Sequence, residues 1–302
     1  MLCATRLNGK PLSSEHSGVV VPWWSFTKTV LAAAALTLVR DGLIELDACI
    51  EQRPFTLRQL LKHQAGLADY SELAAYHAAV AEKQAPWPAA DMLQRLDADT
   101  LRYPPGAGWR YSNVGYLLIA QLIERVTGLE IEQALAERIF LPLGLAHVRL
   151  ARTPLDLANV YPSAMASYDP GWVYHGLLVG PLAEAAALLD LLLAGPLLPA
   201  SLLDAMQEAI VLGGPLPGRP WAAPGYGLGL MIGASHAGPK LTGHTGVGPG
   251  GVIAVYQCTL GHNTATCAVF SAEHQEGEVE AQALKRLLAV LGHVSQGANP
   301  SA

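Results

Sequence analysis

The sequence predicts an α+β fold, in which helices flank one antiparallel sheet and a mostly helical lobe is inserted into it. Two observations predict this. Strand-like segments stand at both ends of the chain, and the long middle section carries helical apolar spacing punctuated by Gly and Pro. The strands near the two termini are expected to pair with each other. On this reading residues 1–302 form a single domain, with an α/β lobe from residues 1–21 and 225–302 and a helical lobe from residues 22–224.

Each element has a local reason. Residues 1–21 read as two short strands, because Asn8-Gly9 is a hairpin signal and Gly18-Val19-Val20-Val21 is β-branched. The apolar run Val30 to Val39 reads as a helix stopped at Asp41-Gly42. A short element covers Leu43 to Ile50. Thr56 caps a helix over residues 57–63, Ser71 starts another reaching about Lys83, and residues 91–96 are helical. After the turn Pro104-Pro105-Gly106, Asn113 caps a helix from Val114 to Val126 that Gly128 ends. Ile131 to Phe140 is helical up to Pro142. Arg149 to Gly180 shows no period and is expected to be a long loop over a site. Pro181 opens a helix to Ala194, Leu202 to Val211 forms another, and Gly213 to Pro224 reads as a linker. Tyr226 to Ile232, Val252 to Leu260 and Thr264 to Ser271 read as strands, and Glu276 to Leu291 as a closing helix.

Bulk properties exclude several classes. Hydrophobic residues make up 51% and charged residues 15%, the balance of a well-buried globular chain. A net charge of −6 without any basic run argues against nucleic-acid binding. The run Leu31 to Val39 is too short to span a bilayer. The first ten residues lack the basic segment and apolar run of a signal peptide, so a cytoplasmic protein is expected. Cys3, Cys49, Cys258 and Cys267 form no Cys-x-x-Cys pair and are read as reduced thiols. The histidines show no metal-ligand spacing, so neither metal nor cofactor is expected.

Three stretches carry chemistry. Ser25 and Lys28 are three apart at the mouth of the first long helix, so they share one face. A serine becomes a nucleophile when an adjacent base takes its proton, and a lysine can be that base when burial lowers its pKa. The helix N-terminus adds N–H donors beside the serine oxygen. The same two residues also read as a capping serine and a solvated lysine. Tyr111-Ser112-Asn113 lies between the Pro-Pro-Gly turn and a helix start. Tyr111 can relay a proton if cations favour its phenolate, and the Asn113 amide can hold Lys28 or a substrate carbonyl; a packed aromatic and a plain helix cap are the alternatives. His244-Thr245-Gly246-Val247-Gly248-Pro249-Gly250-Gly251 is a glycine-rich strand edge that lets a substrate approach the backbone and offers an N–H. Its alternative is an unliganded hairpin with a surface histidine.

In this order the three stretches resemble the β-lactamase-related serine hydrolase family, whose signature is Ser-x-x-Lys, Tyr-x-Asn and Lys/His-Thr/Ser-Gly. That family includes class C β-lactamases, D-alanyl-D-alanine carboxypeptidases, D-amino-acid amidases, aminohexanoate-oligomer hydrolases and β-lactamase-like esterases. Residues 55–67, Tyr103-Pro104-Pro105-Gly106, residues 140–145 and Tyr226-Gly227-Leu228-Gly229 resemble its supporting segments. The resemblance runs from about residue 18 to residue 270 and implies a β-lactamase/transpeptidase-like fold. It implies Ser25 as the acylated nucleophile, with Lys28 and Tyr111 moving the proton. Asn113, His244, Thr245 and Gly246 would bind substrate, and the N–H groups of Ser25 and Val247 would form the oxyanion hole.

Departures from the pattern sharpen the expectation. His244 stands where β-lactamases and cell-wall peptidases commonly carry a lysine that helps hold a substrate carboxylate. A histidine of ordinary pKa is mostly neutral at pH 7, so small esters and amides are favoured over β-lactams and D-Ala peptides, which are the substrates of the alternative β-lactamase or D,D-carboxypeptidase reading. A catalytically inactive penicillin-binding-like sensor is the alternative from another class. Only 24 residues precede Ser25, fewer than the family usually has, so the sheet edge is expected to be bare and open to a homodimer. Trp23-Trp24 is read as core packing.

Overall fold

The computed structural model describes residues 1–12, 14–50 and 53–297. Strand β1 (Leu2–Leu7) turns back through Asn8-Gly9 into β2 (Lys10–Pro11); both turn residues have positive φ, as a two-residue hairpin of this type needs. Strand β3 (Val20–Pro22) and a 3-10 turn at Trp24–Phe26 lead directly into helix α1 (Thr27–Arg40). Helix α1 is buried on every side from Thr27 to Leu38, which its run of alanines permits and which makes it the central helix. Helix α2 (Leu57–Leu61) opens on a capping box between Thr56 and Gln59. Helices α3 (Ala74–Ala81) and α4 (Ala89–Arg95) follow. Helix α5 (Asn113–Thr127) is capped by the Ser112 hydroxyl, which accepts from the Gly115 N–H, and ends at Gly128 in the left-handed region. Asn113, expected as the cap, is the first helical residue instead.

Helix α6 (Ile131–Leu135) continues through a π-helical turn at Ala136–Phe140 into α7 (Leu141–Leu143). Next come β4 (Arg149–Ala151), β5 (Leu177–Pro181), α8 (Leu182–Leu193) and α9 (Ala200–Gln207). The chain finishes with β6 (Ile210–Val211), β7 (Trp221–Tyr226), β8 (Met231–Ser235), β9 (Lys240–Gly248), β10 (Gly251–Leu260), β11 (Asn263–Ser271) and α10 (Glu276–Gly297).

Eight strands form one antiparallel sheet in the order β2-β1-β11-β10-β9-β8-β7-β6. The terminal strands pair as expected, from Leu2 opposite Phe270 to Leu7 opposite Ala265. Alternation along β10 and β11 divides the core between the two faces. Val252, Ala254, Tyr256, Ala265, Cys267 and Val269 meet Val279, Ala283 and Leu287 of α10. Ile253, Val255, Ala268 and Phe270 meet the cluster that holds α1 and α8. The edge expected to be bare is covered: the Leu12 N–H bonds the Thr5 carbonyl at 2.8 Å, and Ser14 Oγ bonds the Cys3 carbonyl. Both outermost strands are two residues long, and β2 ends in Pro11, which blunts further pairing.

Several expectations are corrected. The ends of the stretch Arg149 to Gly180 are strands β4 and β5, which join β3 in a second sheet of order β3-β5-β4. The valines near residue 20 therefore leave the large sheet. Strands of three to five residues are too short to show a period, so they read as loop. Helix α9 stops at Gln207, and β6 and β7 bring the large sheet back to Ile210, before the expected lobe boundary. Residues 298–302 of the expected lobe lie outside the described residues. Leu43 to Ile50 holds no helix or strand, only a bridge from Cys49 to Thr56. The four cysteines are free. Among the described residues no helix is long and apolar enough to cross a membrane.

One buried ion pair ties α10 to the sheet beneath β9. The Glu280 carboxylate is fully buried and receives Arg219 Nε at 2.7 Å, Trp221 Nε1 at 3.2 Å, Tyr256 Oη at 3.0 Å and Thr245 Oγ1 at 2.6 Å. Removing one partner of such a cluster strands the others in a dry site. Glu280→Ala is expected to cost about 3–5 kcal/mol of stability, read from the urea midpoint; a loss below about 1 kcal/mol would contradict this account.

Candidate active site

Ser25 lies in the 3-10 turn that feeds α1, next to Trp24, whose φ of +44° is uncommon for a bulky residue. One turn on, Lys28 is fully buried and its Nζ sits 3.1 Å from Ser25 Oγ. Burial strips the ammonium of water and lowers its pKa to about 7, against an opposing pull from the charge of Asp69. The same Nζ lies 3.1 Å from His175 Nε2. The Tyr111 hydroxyl shares a hydrogen bond with Ser25, and burial pushes its pKa well above that of a free phenol. Tyr111 is thus a neutral phenol, and the phenolate considered from the sequence is not favoured here. Lys28 Nζ also faces the rings of Tyr111 and Tyr116, at 5.1 Å and 5.7 Å from their centroids.

Strand β9 supplies the opposite wall. Its pairing with β8 stops at Gly243, so the edge from His244 to Gly248 is left open on that side and lies against the serine turn. A Cβ on Gly246 would come within 2.6 Å of the Trp23 carbonyl and 2.8 Å of the Ser25 nitrogen. Only glycine allows that approach. Val247, next along, is half exposed and borders the cavities on both sides of Ser25. His244 is buried, not on the surface. Its Nδ1–H donates to the Thr245 carbonyl at 2.7 Å, and its Nε2 accepts from the Tyr226 hydroxyl at 3.0 Å. Desolvation, with Lys28 nearby, lowers its pKa to about 3, so the ring is neutral. The Thr245 hydroxyl is already engaged by Glu280 and Tyr256.

Asn113 departs from the expected arrangement. Its Nδ2 donates to both carboxylate oxygens of Asp69, at 3.0 Å and 3.2 Å, and its backbone N–H donates to Oδ1 at 3.0 Å. The Ser71 hydroxyl completes the grip on Asp69 at 2.5 Å. The amide therefore orients a carboxylate, while the contacts of the Lys28 amine are Ser25 and His175. Trp23 and Trp24 are both buried, consistent with packing.

Ser25 opens on two cavities. The larger, about 520 Å³, is bounded by Tyr111, Asn113, Trp109 and Tyr226 and by the charged Asp69, Arg219 and Glu276. The smaller, about 240 Å³, has an aromatic lining from Trp24, Tyr70, Tyr76 and Tyr168, with His175 at its base. Asp69, His175, Arg219 and Glu276 escaped the sequence reading. Asp69 lies just beyond the helix and family-like segment of residues 55–67, and His175 sits in the stretch without a period. Neither carries a local signal, since what defines each is a partner more than 40 residues away. Among the described residues no group of three or more His, Cys, Asp or Glu side chains is placed to hold a metal ion.

Comparison with known proteins identifies the family and the fold. Residues 7–291 match the family described as Beta-lactamase. A D-aminopeptidase of Brucella anthropi is 30% identical over 275 residues, covering 84% of this chain and 49% of that protein. The chain thus spans about half the length of the curated relatives it matches. Among solved structures, a D-stereospecific amidohydrolase from Streptomyces is similar with a TM-score of 0.72 at 24% identity, covering 88% of each chain. A D-amino acid amidase from Ochrobactrum anthropi SV3, complexed with L-phenylalanine amide, gives a TM-score of 0.74 at 21% identity over 97% of this chain and 93% of that one. The structural likeness shows the β-lactamase/transpeptidase-like fold, with its antiparallel sheet and flanking helices. By its family match, its fold and the order of its three motifs, this chain belongs to the Beta-lactamase family.

Proposed function

We propose that the protein is a serine hydrolase that cleaves small amides of D-configured amino acids through a covalent acyl-enzyme. The observation that carries this reading is the buried Lys28 amine, with a pKa of about 7, placed 3.1 Å from the Ser25 hydroxyl. At neutral pH a large fraction of the amine is uncharged and able to take a proton. Ser25 Oγ attacks the carbonyl carbon and its proton passes to Lys28. The N–H groups of Ser25 and Val247 face the developing oxyanion. The C–N bond then breaks as the proton taken up by Lys28 passes to the leaving nitrogen, relayed through the Tyr111 hydroxyl, which remains a neutral phenol. Water attacks the ester carbonyl, Lys28 takes its proton and returns it to Ser25 Oγ as the C–O bond breaks, which frees the acid and restores the neutral amine. Asn113, His244, Thr245 and Gly246 form the substrate wall. A single catalytic domain in a cytoplasmic setting, where free thiols stay reduced, belongs to the same reading.

The substrate class rests on charge. Arg219 is already paired with Glu280 and, at 2.8 Å, with Glu276, and His244 is neutral. Asp69 faces the cavity with hydrogen bonds from Asn113 and Ser71. This wall suits a substrate ammonium and disfavours a free carboxylate. The relatives named as a D-aminopeptidase, a D-stereospecific amidohydrolase and a D-amino acid amidase support D-amino-acid amides over β-lactams and D-Ala peptides.

Three outcomes are expected. D-phenylalanine p-nitroanilide is turned over repeatedly by the wild type and not by Ser25→Ala, and a fluorophosphonate adds once to the wild type, at Ser25. An adduct without turnover would indicate a sensor and end the hydrolase reading. The phosphonylation rate rises with pH through a midpoint near 7, because the uncharged Lys28 is the reactive form. A flat profile from about pH 5 to about pH 9 would remove Lys28 as the base. Asp69→Asn lowers kcat/KM for the free-amine substrate about 10- to 100-fold more than for its N-acetyl derivative, the worth of one charge-assisted bond. Equal losses on both substrates would show that Asp69 does not read the ammonium.

A further inference from the structure

We propose that His175 is the positioning residue for the base: its Nε2 accepts one N–H of Lys28 and thereby turns the lone pair of the neutral amine toward Ser25 Oγ. This inference rests on the hydrolase reading for its catalytic consequence, but the contact itself stands on geometry. A neutral amine carries two N–H bonds and one lone pair, and it rotates freely about its Cε–Nζ bond unless a partner fixes it. Asn113 does not fix it, since its amide is spent on Asp69. Among the described residues His175 Nε2, at 3.1 Å, is the hydrogen-bond contact that remains besides Ser25 itself.

The tautomer follows from the same contact. If Nε2 accepts, the hydrogen sits on Nδ1, and Nδ1 is buried without a partner. The opposite tautomer would donate to the lysine lone pair and take it away from Ser25. His175 does not act as a second proton carrier, because desolvation and the neighbouring Lys28 hold it well below the ordinary histidine range. The other groups around the amine do not substitute for it. His63 and His244 are also kept neutral, Tyr111 and Tyr116 present ring faces, and Asp69 acts on the amine through its charge.

The backbone around His175 is built to hold this register. The Gly176 N–H closes a turn on the Val173 carbonyl at 2.7 Å, with Gly176 at φ +93°. Directly after it, Leu178 is latched to the serine turn from both sides. The Trp23 N–H donates to the Leu178 carbonyl at 2.8 Å, and the Leu178 N–H reaches Thr27 Oγ1 at 3.3 Å. The start of β5 and the start of α1 therefore move together, and His175 is fixed relative to Ser25 and Lys28.

The test compares His175→Leu, which keeps the bulk and removes the acceptor, with His175→Gln, which restores one. Two readouts are taken: steady-state kinetics on D-phenylalanine p-nitroanilide, and titration of the Lys28 amine by NMR of labelled lysine, assigned through Lys28→Met. With His175→Leu, kcat is expected to fall about 100-fold while KM stays within about threefold, the scale of a misplaced catalytic group. The Lys28 titration is expected to move down by about one unit, because the ammonium loses its acceptor. His175→Gln is expected to recover kcat to within about tenfold of wild type. A Leu variant with unchanged kcat and unchanged titration overturns the proposal, as do equal losses in both variants accompanied by equal falls in thermal midpoint. The titration does not depend on turnover, so a wild type without amidase activity would sink the hydrolase reading while leaving the His175 contact to be judged on its own.

Discussion

A lysine is taken entirely out of water at the centre of this molecule, and no carboxylate touches it. Around that group the rest of the site is arranged. Three neutral histidines, two tyrosine ring faces and one serine hydroxyl surround the amine, and the nearest influential charge is that of Asp69. Burial without a full counter-ion is what brings its pKa from 10.5 down to about 7. The same burial acts on the fold. Between those two values the unfolded chain binds a proton at Lys28 that the folded chain does not, so stability falls as pH drops from about 10.5 to about 7 and the loss is complete below that. The amount is on the order of 5 kcal/mol. The loss of stability from alkaline to neutral pH and the lowered pKa of the amine thus have one origin.

The large sheet and the central helix meet at the serine. Helix α1 can be buried all round because its middle is alanine, and in the turn that feeds it Gly246 of β9 comes close to the backbone of Ser25. The Glu280 cluster then holds Thr245, so the strand that borders the cavity is fastened to α10. Packing, a buried ion pair and backbone geometry converge on one segment of five residues, His244 to Gly248.

Much of this was legible in the sequence where the signal is local. Ser25 and Lys28 lie one helical turn apart, and a helix period alone places them together. The pairing of Leu2–Leu7 with β11 follows from strand alternation at both ends of the chain. The glycines of residues 246–251 announce a close backbone approach. What was hidden depends on partners far along the chain. The covering of the β1 edge by Leu12 and Ser14, the second sheet, the turn of Asn113 toward Asp69 and the approach of His175 to Lys28 all lack a local period. Three-residue strands such as β3 and β4 fall below the length at which alternation can be counted.

The antiparallel order has a mechanical consequence. From the first strand of the chain to the strand beside Ser25 is a run of four neighbours, β1, β11, β10 and β9, with no helix or loop between them to absorb a displacement. A shear at Leu2 is therefore passed through rigid ladders to the wall opposite Ser25. Heat inactivation should therefore track melting of the whole sheet rather than precede it.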